Sequence, residues 1–368
     1  MKRYREPLRA LLLASFLLVA FAGAFPPAPP KMAPADGNPV KREPVVQVSV
    51  ADKQRGVAWV AGRRIEGSSL DPLLTNHVGW IAQTPFGWQE SISSPRIRLA
   101  TEGVLWGETD EGLRQTTRMA RQRGLKTLLK PHIWVRGQWR GEILMASEAD
   151  WRTWFDDYGS FLLHYAKLAE AEGIEALCIG TELHQTVKEK PEEWRRLIQS
   201  VRAVYRGQLT YAANWYQEFE DVPFWGDLDA IGVQAYFPLR GVPGGTLEEL
   251  RAGWQAPLAS LESVSRQFGK PILVTEVGYR STPVASSKPW EWPRRGAAMP
   301  VDLEIQRDCY EAFFREVWPQ PWLAGVFWWK WYPVSGGSQA DDFSPQGKPA
   351  EQVLRQYFSA GAGATLGR

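Results

Sequence analysis

The chain has 368 residues, 44% hydrophobic and 23% charged, with a formal net charge of +2. That balance allows a sizeable globular core and gives no electrostatic case for nucleic acid or an anionic membrane as partner. Two isolated cysteines, Cys178 and Cys309, and four scattered histidines exclude a disulfide framework and speak against a zinc cluster. Nineteen tryptophans are an excess. The indole N–H needs a partner when buried, so such an excess points to broad, half-exposed aromatic surfaces as well as core.

The N-terminus begins with Lys2, Arg3, Arg5 and Arg9, continues through an almost wholly apolar stretch over 11–22, and ends in small residues that fit A-x-A cleavage patterns. This layout is that of a signal peptide over 1–24, and the apolar run is short for a membrane span. The expectation is export, to the outside or the periplasm, with a membrane anchor only if the leader stays uncleaved. Removing the leader's four basic residues and Glu6 leaves a net charge of about −1. A proline-rich spacer follows over 25–51, with prolines at 26, 27, 29, 30, 34, 39 and 44. One domain is expected over 52–360, then a flexible tail over 361–368.

Within that domain short apolar runs alternate with longer amphipathic ones. Strands are expected at 56–61, 78–84, 126–131, 176–181, 209–214, 230–235, 271–275 and 323–329. Helices are expected at 110–124, 149–173, 191–206, 247–268 and 302–317, with a closing helix at 350–358. Pro191 followed by Glu192 and Glu193 is a helix start, and Gly124, Gly173 and Gly269 stand where helices end. Eight such strand–helix units predict an α/β fold, a (β/α)₈ barrel. An open doubly wound sheet would carry a glycine-rich phosphate turn after its first strand, and 56–62 has none.

Barrel chemistry sits at the C-terminal ends of the strands. Two of those ends carry an acidic residue straight after an aliphatic run: Leu177-Cys178-Ile179-Gly180-Thr181-Glu182 and Ile272-Leu273-Val274-Thr275-Glu276. An unpaired carboxylate near a barrel core costs several kcal/mol, so each needs a partner or a purpose. A structural ion pair, for example with Lys130 or Arg280, is one account. The other is glycosidic bond cleavage, where one carboxyl donates a proton to the leaving oxygen and the other, ionised, attacks the anomeric carbon. Two carboxyls suffice for that reaction, so no metal or organic cofactor is implied. The partner would be a polysaccharide or oligosaccharide.

The segments Leu129-Lys130-Pro131-His132, Trp139-Arg140-Gly141-Glu142-Ile143, Ile179-Gly180-Thr181-Glu182-Leu183, Val274-Thr275-Glu276-Val277-Gly278-Tyr279 and Phe327-Trp328-Trp329-Lys330-Trp331 resemble, in order and spacing, glycoside hydrolase family 113. The characterised members of that family are β-1,4-mannanases within the large clan of retaining barrel glycosidases. The resemblance implies Glu182 as acid/base and Glu276 as nucleophile. It implies Tyr236 as the hydrogen-bond donor holding Glu276, Trp329 with Trp331 as the floor under the sugar, and His132 and Asn214 as ligands of sugar hydroxyls. Many clan members place Asn directly before the acid/base; here Thr181 stands there. Trp139 either lines the cleft or pins its own loop. The long segment 280–300, with Trp290 and Trp292, is expected to form a cleft wall. A barrel that binds sugar in the cell envelope without cleaving it is the alternative function.

Overall fold

The computed structural model describes residues 46–99, 104–291, 299–334 and 340–362. The expected leader, most of the spacer and the end of the tail lie outside the described residues. Among those that are described, no helix is long and apolar enough to cross a membrane.

Eight parallel strands close a barrel: β1 Gln54–Trp59, β2 Trp80–Gln83, β3 Lys126–Leu129, β4 Ala176–Thr181, β5 Gln208–Asn214, β6 Ala230–Gln234, β7 Ile272–Val277 and β8 Leu323–Trp331. Each pairs with its neighbours in sequence, and β8 closes onto β1. All eight expected strands exist, with bounds shifted by up to two residues. The barrel lumen is filled by small side chains, Ala82, Ala176, Cys178 and Ala212, around Leu128, Leu273 and Phe327. Gly56 makes room for that filling, because a Cβ there would stand 2.4 Å from the Phe327 ring.

The outer layer follows the amphipathic runs. Helices α1 Asp71–Thr75, α2 Asp110–Arg121, α3 Glu148–Glu172, α4 His184–Glu189, α5 Pro191–Arg202, α6 Leu247–Gly253, α7 Gln255–Phe268, α8 Leu303–Glu316 and α9 Pro349–Ala362 surround the barrel. Gly173 and Gly269 end α3 and α7 in the left-handed conformation, φ 60° and 62°, as their positions imply. The expected single helix over 247–268 is two. The break falls at Trp254, a buried ring against Phe313 of α8, with Pro257 in the first turn beyond it where no N–H is needed.

Two departures from regular alternation matter. No α-helix joins β5 to β6; a 3-10 turn, Trp225–Asp227, crosses instead. Phe224 and Trp225, both wholly buried, take the place of a helix face against Tyr211 and Trp194. At the C-terminal mouth, three short strands, Phe86–Gln89, Ile97–Leu99 and His132–Val135, form a second sheet beside the barrel.

Candidate active site

Both glutamates emerge at the mouth. Glu276 is the fifth residue of β7 and is 5% exposed. Lys130, fully buried at the end of β3, forms an ion pair with its Oε1. Tyr236 Oη donates to its Oε2 at 3.1 Å. Gln234, the last residue of β6 and the register partner of Glu276, sets its side-chain amide against both carboxylate oxygens at 3.2 and 3.1 Å, and the hydrogen-bond network assigns the nitrogen to that side. Lys130, Tyr236 and Gln234 thus converge on a single carboxylate. Burial and the adjacent Glu276 charge push the Tyr236 hydroxyl well above the usual phenol range, so it remains a donor.

Glu182 sits in different surroundings. Strand β4 ends at Thr181, and Glu182 takes φ 50°, a left-handed value rare for a residue with a side chain. Two hydrogen bonds fix that turn: Glu182 N–H to Ala212 O at 2.8 Å and Leu183 N–H to Tyr211 Oη at 2.6 Å. The carboxyl receives longer bonds from Asn214 Nδ2 (3.2 Å), Trp139 Nε1 (3.3 Å) and Arg140 Nη1 (3.4 Å). Burial raises its pKa above the ordinary carboxylate value. Arg140 opposes that shift, and repulsion from Glu276 adds to it. The two carboxyls therefore feel one another but sit in unlike surroundings, and those of Glu182 favour its protonated form.

The structure brings most of the expected site residues to this mouth. His132 is 5% exposed and its Nε2 is buried with no partner among the described residues. Burial, then the Arg140 and Lys130 charges, hold its pKa well below the ordinary histidine value, so the ring is neutral. Asn214 is oriented at both ends, its Oδ1 accepting from Tyr216 N–H at 2.8 Å. Trp139 is half-buried over Gly141, where a Cβ would strike the indole, and bonds Glu182 rather than only pinning its loop. Trp329 is half-buried. Phe327 fills the lumen and Trp328 packs outward on α8, so strand alternation turns Trp329 back to the mouth. Trp331 does not share that surface: it is 1% exposed and belongs to the main core. Of the two residues expected as the floor, Trp329 lies at the mouth and Trp331 does not. Thr181 is also buried, its hydroxyl 4.0 Å from Cys178 Sγ.

Of the expected wall, Trp290 stacks on Trp215 at 5.2 Å, and Trp215 meets Phe237 edge-on; Trp292 lies outside the described residues. Arg280 pairs with Asp341 at 2.5 Å and leaves the glutamates to others.

Sequence reasoning overlooked Lys130 as a functional partner, together with Arg140, Gln234 and Glu218. Lys130 and Gln234 carry the same signal as the two glutamates, a polar residue ending an apolar strand. Glu218 lies in a turn with no such pattern. It is 1% exposed, accepts from Tyr211 Oη at 2.5 Å and from Asn214 N–H at 2.6 Å, and burial pushes it up to about 8. Through Tyr211 and Asn214 it buttresses both the turn at Glu182 and the amide that bonds it.

Comparison with known proteins agrees with this geometry. No curated protein sequence matches the chain. Among solved structures, a GH113 β-mannanase, AaManA from Alicyclobacillus acidocaldarius in complex with ManMIm, is 28% identical with a TM-score of 0.74, covering 85% of this chain and 100% of the other. A GH113 β-1,4-mannanase complex is 26% identical with a TM-score of 0.73, covering 84% and 99%. A Bifidobacterium dentium β-glucuronidase, 12% identical with a TM-score of 0.54 over 83% of this chain and 46% of that one, shares the fold alone. The sequence profile of Glycoside Hydrolase Family 113 matches residues 61–348, and the chain belongs to that family.

Proposed function

We propose that this glycoside hydrolase cleaves β-1,4-linked mannan or a closely related β-glycan with retention of anomeric configuration, outside the cytoplasm. The observation that carries the reading is the opposite treatment of two neighbouring carboxyls. Glu276 is surrounded by Lys130, Tyr236 and Gln234, while Glu182 is desolvated behind weaker, longer contacts. The 26–28% identity to β-mannanases across their whole length supports the substrate class, and the N-terminal leader pattern supports export.

In the first step the Glu276 carboxylate forms a bond to the anomeric carbon as the glycosidic C–O bond breaks. The Glu182 proton passes to the departing oxygen. In the second step Glu182, now ionised, takes a proton from water. That water's oxygen bonds the anomeric carbon, and Glu276 leaves as carboxylate. Lys130 pairs with Glu276 and stabilises it as attacker and as leaving group. Trp329 supports the apolar face of the sugar, and His132 and Asn214 are within the site to bind hydroxyls.

The test is release of reducing ends from β-mannan, glucomannan, xylan and β-glucan, with product anomers followed by NMR. The expected result is activity on mannan, a β-configured first product, and loss of activity in Glu276→Ala. A folded wild type that cleaves neither these glycans nor activated aryl β-glycosides overturns the proposal, and an α-configured first product overturns the double displacement.

A further inference from the structure

The small sheet at the barrel mouth presents two unlike faces. Gly87, Gln89, Ile133 and Val135 point toward α3. A Cβ on Gly87 would stand 2.8 Å from Phe161, and Gln89 accepts from Trp154 Nε1 at 3.0 Å. Alternation puts Phe86, Trp88, His132 and Trp134 on the other face, and the register pairs Phe86 with His132 and Trp88 with Trp134. Their rings form a continuous row. Phe86 meets His132 edge-on at 5.7 Å and Trp134 edge-on at 6.1 Å, and Trp134 meets Trp88 at 5.9 Å. Exposure grows along it, from 5% at His132, through half-buried Phe86 and Trp134, to 37% at Trp88.

The inner end of this row is fastened to the catalytic groups. His132 follows Lys130, the partner of Glu276, by two residues. Arg140 donates to Ile133 O at 3.1 Å and to Glu182 at 3.4 Å, so one guanidinium ties the strand to the acid/base. The row therefore starts beside the residues that contact the two carboxyls, Lys130 and Arg140, and runs outward to solvent. At its start His132 keeps a buried Nε2 with no partner among the described residues, a polar atom that a hydroxyl can satisfy. Core packing does not explain an indole left exposed at the far end of a strand whose other face is the buried one.

We propose that this row is a binding track for the outer sugar units of a β-linked oligosaccharide, with the chain leaving the cleavage point past His132 and lying on Trp134 and Trp88. A pyranose offers alternating apolar C–H faces to indoles and hydroxyls to solvent, which suits a row of rings rooted in a hydrogen-bonding end. The inference rests on the proposed function for its ligand class, and it adds where the units beyond the cleavage point lie. It makes the enzyme's affinity length-dependent: short ligands occupy the carboxyl centre, and only longer ones reach Trp88.

The test is calorimetric titration of the full chain carrying Glu182→Gln, so that ligand is not consumed, with mannobiose and with mannohexaose. The same titrations are made after adding Trp88→Ala or Trp88→Phe. The expected result is that Trp88→Ala weakens mannohexaose roughly tenfold and leaves mannobiose unchanged, while Trp88→Phe restores most of the loss. Trp88 lies at the surface, so the melting temperature should move little, and a melt confirms that each variant is folded. If both ligands bind and Trp88→Ala changes neither, the track falls and the hydrolase reading stands. If neither ligand binds before Trp88 is altered, the track and the mannan assignment fall together.

Discussion

Arg140→Gln tests the acid/base role proposed for Glu182. In the wild type, burial raises the Glu182 pKa and the Arg140 guanidinium is the largest opposing influence. The charges approach to 3.4 Å, where an effective dielectric of about 20 gives a Coulomb attraction of roughly 5 kcal/mol, an upper bound before the guanidinium's own desolvation is subtracted. Carboxylates beside an arginine in folded proteins gain about 1.4–4 kcal/mol in favour of the charged form. The contact here is long and the Trp139 and Asn214 donors remain, so the lower half of that range applies. Removing the cation favours the protonated acid. The basic limb of kcat/KM for a glycan should therefore move to higher pH by one to two pH units, with the plateau below it reduced far less. An aryl glycoside whose leaving group needs no proton serves as control, because its rate is insensitive to the state of Glu182 in the first step. A basic limb unmoved in a folded variant would refute the reasoning and assign that limb to another group.

Two further outcomes are expected. Tyr236→Phe removes one 3.1 Å donor from the Glu276 carboxylate; a hydrogen bond to a charged group contributes about 1.5–3 kcal/mol, so kcat should fall roughly 10–100-fold with KM little changed, read by steady-state kinetics. Glu218→Gln tests the buried third carboxyl. Its folded value near 8 lies above the unfolded one, so its stabilising contribution is present in acid, declines from about pH 4.4 and is gone as pH rises through about 8. Wild-type stability should drop relative to Glu218→Gln over that window by up to about 5 kcal/mol, measured by urea unfolding at a series of pH values. Parallel curves would show that Glu218 is ionised in the folded protein well below 8.

The barrel strands were legible because strands buried on both faces read as continuous apolar runs. In β4, for example, all six residues are buried. Helix ends were legible where a single residue decides them, as Gly173 and Gly269 do with left-handed backbone. No helix was expected between β5 and β6, and what fills its place was not legible, because only the packing of Phe224 and Trp225 on Trp194 and Tyr211 shows it. The mouth sheet was invisible for a related reason: its strands are three or four residues long, and one of its two pairings joins segments distant in the chain, Phe86–Gln89 and His132–Val135. Of the site, the two glutamates declared themselves by being charged where an aliphatic strand ends. Lys130 obeys the same rule and was weighed only as a structural counter-ion. Trp331 was misplaced because strand position alone cannot tell a cleft floor from a core wall.

Asn214 and Gln234 occupy the same rung of the barrel ladder between β5 and β6, and each reaches a different glutamate. The spacing of these two amide partners is thus written into the hydrogen-bond stagger of the barrel wall, while Trp139 and Arg140 reach Glu182 from the segment beyond the mouth strand His132–Val135. Changes at the mouth that spare Trp139 and Arg140 leave both glutamates with their partners. A one-residue slip of β5 against β6 would turn Asn214 away from Glu182 and leave Gln234 on Glu276, unbalancing the pair in a molecule that still closes its barrel.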